Sequence, residues 1–212
     1  MSSSRLPGKV LAPLYHSTLI DLLLSRLVKS TLIDEVIVAT SEDITDDILA
    51  NHLINTKVHR GDLFDVRSRY IDLCAEYKPI NIIRITADCP LICWELVDKV
   101  IAFHEESSAD YTANCNFNPF PKGFNVEVFK AEVLMLEDFQ TDDEYEKEHV
   151  TPWMYLSGKL KVANYEFPPL PIQNNLNFSV DTQEDLTFLQ NLKGEFPVES
   201  LTFEEIWKNI TN

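Results

Sequence analysis

Short apolar segments alternate with amphipathic helical segments along most of this chain, and this alternation restricts the fold more than any other feature. Residues 35–40 (EVIVAT) and 81–86 (NIIRIT) are rich in β-branched residues, which predicts buried strands. Residues 18–29 (TLIDLLLSRLVK) carry leucines at helical spacing behind Ser17, a candidate N-cap. Short connections join these segments. The pattern therefore predicts βαβ units on a mostly parallel sheet that helices cover on both faces, an α/β fold of three layers.

The same analysis extends along the rest of the chain, after a predicted loop over residues 1–13. Further strands are predicted at 57–60, 110–114, 125–129, 160–166 and 177–180. Further helices are predicted at 45–54, 64–77, 94–106, 131–138, 143–156, 182–191 and 203–210, with Thr182 and Asp185 as a capping box. A length of 212 residues fits one domain spanning 1–212. Within it, the less regular segment 116–175 is predicted to form a small extra lobe for acceptor binding or dimerisation.

The negative net charge of the chain disfavours two classes of binding partner, nucleic acids and anionic membranes. Lys and Arg number 18 against 34 Asp and Glu, a formal net charge of −16. Nucleic acids and anionic membranes need a cationic surface, so we expect no nucleic-acid and no membrane partner. No apolar run reaches the roughly 18 residues of a membrane span. The first residues lack the apolar core of a signal peptide, and the four cysteines form no C-x-x-C pair. These features predict reduced thiols and a cytoplasmic location.

Polar residues follow several of the predicted strands. In open α/β sheets, ligands bind at the carboxyl ends of the strands, so these residues are candidates for a binding site. The candidates that follow strands are Thr40, Ser41, Arg60, Gly61, Asp62, Asp88 and Asp181. The loop before helix 18–29 adds Ser3, Ser4, Arg5, Gly8 and Lys9. The sequence thus predicts a site with cations and hydroxyls on one side and two well-separated carboxylates, Asp88 and Asp181, on the other.

This set of groups suits a nucleoside triphosphate with a divalent ion. Arg5 and Lys9 would neutralise phosphate oxygens, and Gly8 would let the backbone come close. Mg²⁺ usually takes one or two protein carboxylates, for which Asp88 and Asp181 are the natural pair. Each aspartate has an alternative role as the cap of the helix that follows it. The loop is not a Walker A motif, because G-x-x-x-x-G-K-[ST] is absent.

Seven sequence blocks, in order along residues 2–186, carry a family resemblance. They are 3–9 (SSRLPGK), 39–41 (ATS), 60–66 (RGDLFDV) with 69–70 (RY), 84–92 (RITADCPLI), 123–129 (GFNVEVF), 148–152 (EHVTP) and 180–186 (VDTQEDL). These blocks resemble the CTP:sugar-acid cytidylyltransferase family, in its acylneuraminate cytidylyltransferase-like and spore coat polysaccharide branch. The resemblance implies a Rossmann-like nucleotidyltransferase fold. It also implies transfer of CMP from CTP to a hydroxyl of a sugar acid, with release of pyrophosphate, in surface-polysaccharide biosynthesis.

The resemblance also implies roles for individual residues. The triphosphate loop would comprise Ser3, Ser4, Leu6, Pro7 and Gly8, with Arg5 and Lys9 as its catalytic cations. Thr40, Ser41, Arg60 and Gly61 would surround the base and ribose. Asp88 and Asp181 would hold Mg²⁺, and Asp88 would also be catalytic. The acceptor sugar would face Asn125, Glu127 and His149. The partners implied are CTP, a small sugar acid and a second copy in a homodimer.

Residue chemistry alone leaves alternatives at the later blocks. His149 lies beside Trp153 on a predicted helix and could be a structural residue rather than a general base. Glu127 could pair with a neighbouring lysine, Lys122 or Lys130. Arg84 alternates with isoleucines and could be a packed strand residue with a partner.

The chain departs from the family pattern in two places. Similar proteins begin with an apolar strand between the equivalents of strands 35–40 and 81–86, whereas Met1 here falls where that strand would have ended. Either these two strands pair directly or a gap separates them. Two alternatives to the cytidylyltransferase therefore remain: a nucleotidyltransferase with a different base or sugar specificity, and a truncated, inactive nucleotide-binding relative. Similar proteins also have a glycine near 15–17, where this chain has Tyr15-His16-Ser17.

Overall fold

A computed structural model describes residues 1, 5–116, 121–139, 142–167, 176–192 and 198–211. The α-helices of these ranges are Leu19–Leu27 (α1), Asp47–His52 (α2), Val66–Tyr77 (α3), Trp94–Ser107 (α4), Glu144–His149 (α5), Pro152–Leu156 (α6), Gln183–Gln190 (α7) and Phe203–Thr211 (α8). The strands are Pro13–Leu14 (β1), Ser17–Thr18 (β2), Ile37–Ser41 (β3), Lys57–Gly61 (β4), Asn81–Arg84 (β5), Tyr111–Ala113 (β6), Glu127–Lys130 (β7) and Val162–Asn164 (β8). Strands and helices alternate through the first half of the chain, which confirms the α/β class.

The described strands form three sheets. β1 and β2 make a small antiparallel hairpin, and β3 pairs in parallel with β4 from Ile37↔Lys57 to Ser41↔Gly61. The third sheet has the order β5-β7-β6-β8. In it β7 is antiparallel to both neighbours, while β6 and β8 are parallel. β5, β6 and β8 therefore end at the same edge, and β7 begins there.

Helices cover both faces of the four-stranded sheet. Successive residues of a strand point to opposite faces, so neighbouring residues of β7 pack against different helices. Val128 packs on one side with Val97 of α4, in a cluster that also includes residues of α1, α7 and α8. Phe129 packs on the other side with Cys74 of α3 and Met154 of α6. The result is the predicted three-layer arrangement of helix, sheet and helix.

Arg26 of α1 ties the C-terminal part of the chain to this core. Its side chain is fully buried and donates to three backbone carbonyls. Nε reaches the oxygen of Ile92 at 2.6 Å and Nη2 that of Leu201 at 2.8 Å, while Nη1 donates to Val198. The guanidinium also lies over the Trp94 ring, 5.2 Å from its centroid. The Arg26 side chain thus joins α1 to the segment before α4 and to residues 198–201.

Several predicted elements were wrong in kind or in extent. Residues 131–138 form 3₁₀ helices, Ala131–Met135 and Glu137–Phe139, instead of an α-helix. The predicted helix 143–156 is two helices separated at Val150, whose φ of 69° ends the first. In the described residues, segment 177–180 makes an isolated bridge, Lys122↔Asn177, instead of a strand.

The entry to α1 differs from the prediction as well. Thr18, not Ser17, is the N-cap, and its hydroxyl accepts from the Asp21 amide at 3.2 Å. Ser17 instead belongs to strand β2, which pairs with β1 just beyond the predicted loop over residues 1–13. Tyr15 occupies the turn with φ 56°, a left-handed conformation that favours glycine. Its hydroxyl donates to the Leu189 carbonyl at 2.7 Å, and burial raises the pKa of Tyr15 to about 12.

The two strands next to the family's expected first strand do not pair with each other: β3 pairs with β4 and β5 with β7. The direct pairing considered above is therefore absent from the described strands. Segment 116–175 supplies β7 and β8 to the four-stranded sheet. Its role as an acceptor or dimerisation lobe stays a prediction. Within the described ranges, no helix combines the length and the apolar composition needed to cross a lipid bilayer.

Candidate active site

The basic N-terminal loop is shaped by Gly8 and a short 3₁₀ helix. Gly8 adopts φ 72°, in the left-handed region, and the helix Lys9–Leu11 follows it directly. The Leu11 amide donates to the Gly8 carbonyl at 2.9 Å. Leu6 packs against the main core cluster, while Pro7 and Arg5 are exposed. Ser3 and Ser4 lie outside the described residues.

Lys9 brings the two predicted metal-binding aspartates together. Its ammonium lies 2.9 Å from Asp181 Oδ1 and 3.3 Å from Asp88 Oδ2. Arg5 reaches the same Asp181 oxygen at 3.2 Å. The Val180 amide donates to the Asp88 carbonyl at 2.8 Å, which fixes the two aspartate-bearing segments side by side. The loop cations and the carboxylates of Asp88 and Asp181 therefore converge, although the two acids lie 93 positions apart in the sequence.

Neither aspartate serves as a helix cap, so the alternative roles considered above are wrong. Thr182 is the N-cap of α7, and Asp185 completes the predicted capping box. Burial opposes the charge of Asp185, but hydrogen bonds from the Asp181 and Thr182 amides more than offset it, and its pKa is lowered. α4 begins after Cys93, several residues beyond Asp88.

The donor set of this cluster fits a hard divalent cation. Asp88 and Asp181 present carboxylate oxygens to one positive group, and their side chains keep 25% and 33% of their exposure. Mg²⁺ in phosphate-transferring sites usually takes one or two carboxylates and fills its remaining positions with phosphate oxygens and water. No group of three or more potential metal-ligating side chains occurs in the residues that the structure describes. A metal here would therefore take its remaining ligands from water or from the phosphates of its substrate.

The residues predicted around the base and ribose lie at the ends of β3 and β4. The hydroxyls of Thr40 and Ser41 are buried and donate to Asp46 Oδ2, at 2.7 and 2.6 Å. Arg60 donates to the Ser41 carbonyl at 2.8 Å and pairs with Asp47. Gly61 ends β4, where a Cβ would lie 3.0 Å from Arg69. These contacts order both strand ends, and a role in nucleotide binding stays a prediction.

A second polar cluster surrounds Glu127 at the start of β7. Arg84 Nη1 donates to Glu127 Oε2, while the hydroxyls of Tyr111 and Thr151 each donate to Oε1 at 2.6 Å. Burial opposes the charge of Arg84, but the Glu127 carboxylate more than offsets it and raises the pKa of Arg84. Burial and Glu127 also raise the pKa of Tyr111. Arg84 and Tyr111 therefore stay protonated, and Glu127 pairs with Arg84 instead of a lysine.

The segment 149–151 delivers Thr151 to this cluster through a tight turn. Val150 has φ 69° and ψ −51°, and the Thr151 amide donates to the His149 carbonyl at 2.8 Å, which closes a three-residue γ-turn. A positive φ is costly for a β-branched residue, and residues with such strained backbones cluster at functional sites. His149 is exposed and packs on Tyr145, with ring centroids 4.3 Å apart. The turn thus directs Thr151, not His149, towards Glu127.

Asn125 lies in the segment that precedes β7, held by a buried asparagine. Asn114 donates to the Phe124 carbonyl and accepts from the Val126 amide, each at 2.9 Å, so it clamps the backbone on both sides of Asn125. Sequence reasoning did not assign Asn114, Tyr111 or Thr151 to the site. Thr151 lies inside the block 148–152, so the resemblance could have drawn attention to it. Tyr111 and Asn114 lie in a predicted strand and carry no local signal of function.

The pairing of a basic loop with the carboxylates of Asp88 and Asp181, on an α/β fold whose sheet edge also carries a buried polar cluster, is typical of the nucleotidyltransferase class of enzymes. The cytidylyltransferase family profile matches residues 1–197, and the chain belongs to this family. It is 34% identical over 210 residues to the spore coat polysaccharide biosynthesis protein SpsF of Bacillus subtilis, covering 93% of this chain and 85% of that protein.

Two solved structures carry the same fold. A cytidylyltransferase from Leptospira borgpetersenii superposes with a TM-score of 0.90 at 27% identity, covering all of this chain and 90% of that one. The CMP:2-keto-3-deoxy-manno-octonic acid synthetase complexed with CTP superposes with a TM-score of 0.64 at 15% identity, covering 89% and 92% of the two chains. The second likeness extends to the fold alone.

Proposed function

We propose that this chain transfers CMP from CTP to a hydroxyl of a sugar acid, in the synthesis of a surface polysaccharide. The convergence of Lys9 and Arg5 on Asp88 and Asp181 is the observation that carries the proposal. A triphosphate needs cationic donors, and a metal bound to its phosphates needs hard oxygens, so this cluster combines both requirements. The relative SpsF is a spore coat polysaccharide biosynthesis protein, and the structure of the more distant synthetase is a complex with CTP. Both support the proposal.

In the proposed reaction, the acceptor hydroxyl oxygen forms a bond to the α-phosphorus of CTP. The bond from that phosphorus to the bridging oxygen of the β-phosphate breaks, pyrophosphate leaves, and the hydroxyl proton passes to solvent. Lys9 and Arg5 orient the triphosphate and neutralise the charge that develops on the leaving group. Asp88 and Asp181 would hold Mg²⁺, which supplies charge neutralisation at the phosphates when bound.

The Glu127 cluster would hold the acceptor. Arg84, Tyr111 and Thr151 fix the Glu127 carboxylate, and Asn114 fixes the backbone around Asn125. Groups that are locked by other hydrogen bonds can position a substrate without first losing conformational freedom. The predicted cytoplasmic location and homodimer accompany this proposal as further predictions.

Pyrophosphate release provides the test. The purified protein is incubated with Mg²⁺, one of CTP, UTP, GTP or ATP, and either N-acetylneuraminate or 3-deoxy-manno-octulosonate as the acceptor. We expect release with CTP, and a loss of at least about 100-fold for Asp88→Asn and Asp181→Asn. Glu76→Gln, which neutralises an exposed carboxylate on α3, is the matched control and should keep full activity. Faster release with another nucleotide would contradict the choice of CTP, and no release with any pair would contradict the transfer itself.

A further inference from the structure

One row of residues crosses the four-stranded sheet at its carboxyl edge. Arg84 pairs with Glu127, Glu127 with Ala113, and Ala113 with Asn164. Residues paired across neighbouring strands project from the same face of a sheet. Asn164 therefore shares a face with the Glu127 cluster, although it lies in a different part of the sequence.

The neighbouring row on the same face is mostly apolar. Two residues further into the sheet, the paired positions are Ile82, Phe129, Tyr111 and Val162, and all four belong to or pack against one apolar cluster. The face thus changes from apolar to polar at its last row. In open α/β sheets this edge is where ligands bind.

Asn164 differs from the rest of the polar row in its hydrogen bonding. Arg84 and Glu127 pair with each other, and Glu127 accepts two further hydrogen bonds. Both polar atoms of the Asn164 side chain, Oδ1 and Nδ2, are buried and have no hydrogen-bond partner in the described part of the chain. A buried amide without partners is destabilising, because it has lost its hydration and gained nothing in return.

The chemistry of a primary amide restricts what could satisfy it. Oδ1 accepts a hydrogen bond and Nδ2 donates up to two, so the complementary group presents a donor and an acceptor together. A sugar hydroxyl and a secondary amide of an acylamino substituent both do so. A carboxylate only accepts, and it would leave Oδ1 without a donor.

We infer that Asn164 is a specificity-determining residue that binds a neutral hydroxyl or acylamino substituent of the acceptor, away from its carboxylate and its reacting hydroxyl. The inference rests on the proposed function and adds to it the part of the acceptor that is recognised. A site that hydrogen-bonds a substrate group discriminates strongly against analogues without that group.

Asn164→Leu tests this inference, since leucine is close in size and carries no polar atom. CMP transfer from CTP is measured with N-acetylneuraminate, which carries an acylamino group, and with 3-deoxy-manno-octulosonate, which carries hydroxyls but no acylamino group. For at least one of these acceptors, the KM of the variant should rise about 10- to 100-fold. The KM for CTP and kcat should change by less than about threefold, because the triphosphate site is unaltered. A KM increase confined to N-acetylneuraminate would indicate that the acylamino group is bound, whereas increases with both acceptors would indicate a hydroxyl.

Stability gives a readout that does not depend on activity. Removing two buried polar atoms without partners should leave the melting temperature of Asn164→Leu equal to or above that of the wild type. Val162→Thr is the matched control, because it introduces a hydroxyl into the apolar row of the same strand and face. It should lower the melting temperature and leave the KM for both acceptors unchanged.

The outcomes separate the two proposals. An active wild type with an Asn164→Leu variant whose acceptor KM values stay within twofold would overturn this inference and leave the proposed function intact. A marked fall in the melting temperature with unchanged KM values would show that the amide has a structural role, and would overturn it as well. A wild type that transfers CMP to neither acceptor would overturn both.

Discussion

Replacing Lys9 with methionine tests the geometry of the proposed metal site without requiring a substrate. The Lys9 ammonium separates the carboxylates of Asp88 and Asp181, at 3.3 and 2.9 Å. The two oxygens that it contacts are therefore at most about 6 Å apart, where two like charges repel by about 3 kcal/mol at an effective dielectric constant of 20 and by less than about 1 in water. Since both side chains are partly exposed, we take about 1–2 kcal/mol for the repulsion that the variant leaves uncompensated.

The loss of the two ion pairs adds to this repulsion. Partly exposed pairs contribute about 0.2–1 kcal/mol each, so with the repulsion Lys9→Met should lower the free energy of unfolding by about 1.5–4 kcal/mol. For a chain of this length, each kcal/mol shifts the melting temperature by about 2–4 °C, which gives a fall of about 3–16 °C. The measurement is thermal unfolding in a magnesium-free buffer.

Magnesium should then restore much of the lost stability. A cation with a millimolar dissociation constant stabilises the folded protein by about 1.4 kcal/mol when its concentration is ten times that constant. This corresponds to a rise of about 3–6 °C in the melting temperature. The wild type should respond less, because the ion must displace Lys9. Lys130→Met is the matched control: this lysine pairs with the single carboxylate of Asp110 at 2.7 Å, so magnesium should not rescue it. A Lys9→Met protein that is as stable as the wild type, or that gains no more from MgCl₂ than from NaCl of equal ionic strength, would refute the reasoning.

Three further predictions concern stability. Arg26→Met should cost about 3–5 kcal/mol in denaturant unfolding, because it leaves three buried carbonyls without their charged donor; a loss below about 1 kcal/mol would contradict this role. Gly123→Ala should destabilise by at least about 2 kcal/mol more than Gly158→Ala. Both glycines have positive φ, but a Cβ at 123 would lie 2.4 Å from the Phe178 carbonyl carbon, whereas one at 158 meets nothing within 4 Å; equal losses would contradict the clash. Burial, reinforced by Lys130, lowers the pKa of His104. Its stabilising contribution is therefore complete above the unfolded pKa of about 6.5 and is lost as the pH falls below it. Melting curves between pH 7.5 and 5 should show a smaller decline for His104→Gln than for the wild type, and parallel curves would be the contrary result.

The elements that were predicted from sequence are those with strong local patterns. β3, β4, β5 and helices α1, α3, α4 and α7 lie within a few residues of their predicted bounds, because apolar periodicity and capping residues act over short distances. The predicted helix 143–156 was wrong because the turn at Val150 is stabilised by Thr151 bonding to Glu127, a tertiary contact. The direction of β7 in the sheet had no local signal either.

The candidate site was predictable to a similar degree. Strand ends led to Asp88 and Asp181, and their proximity to Lys9 follows the rule that ligands bind at the carboxyl edge. Arg84 was considered as a packed strand residue with a partner, and the structure confirms this by pairing it with Glu127. Asn164 went unnoticed, because only the register of β8 against β6 places it in the row with Glu127.

Because β7 runs antiparallel to β5 and β6, the chain leaves β5 and enters β7 at the same edge of the four-stranded sheet. Asp88 lies in the segment that leaves β5, whereas Asn125 and Glu127 lie where the chain enters β7. The connection that enters β7 contacts the Asp88 segment through residues 177–180, since Lys122 forms a bridge with Asn177 and the Val180 amide donates to the Asp88 carbonyl. Exchange of this connection between relatives is therefore a way to change the acceptor side of the site, provided that its contact with residues 177–180 is kept so that the Asp88 segment stays in place.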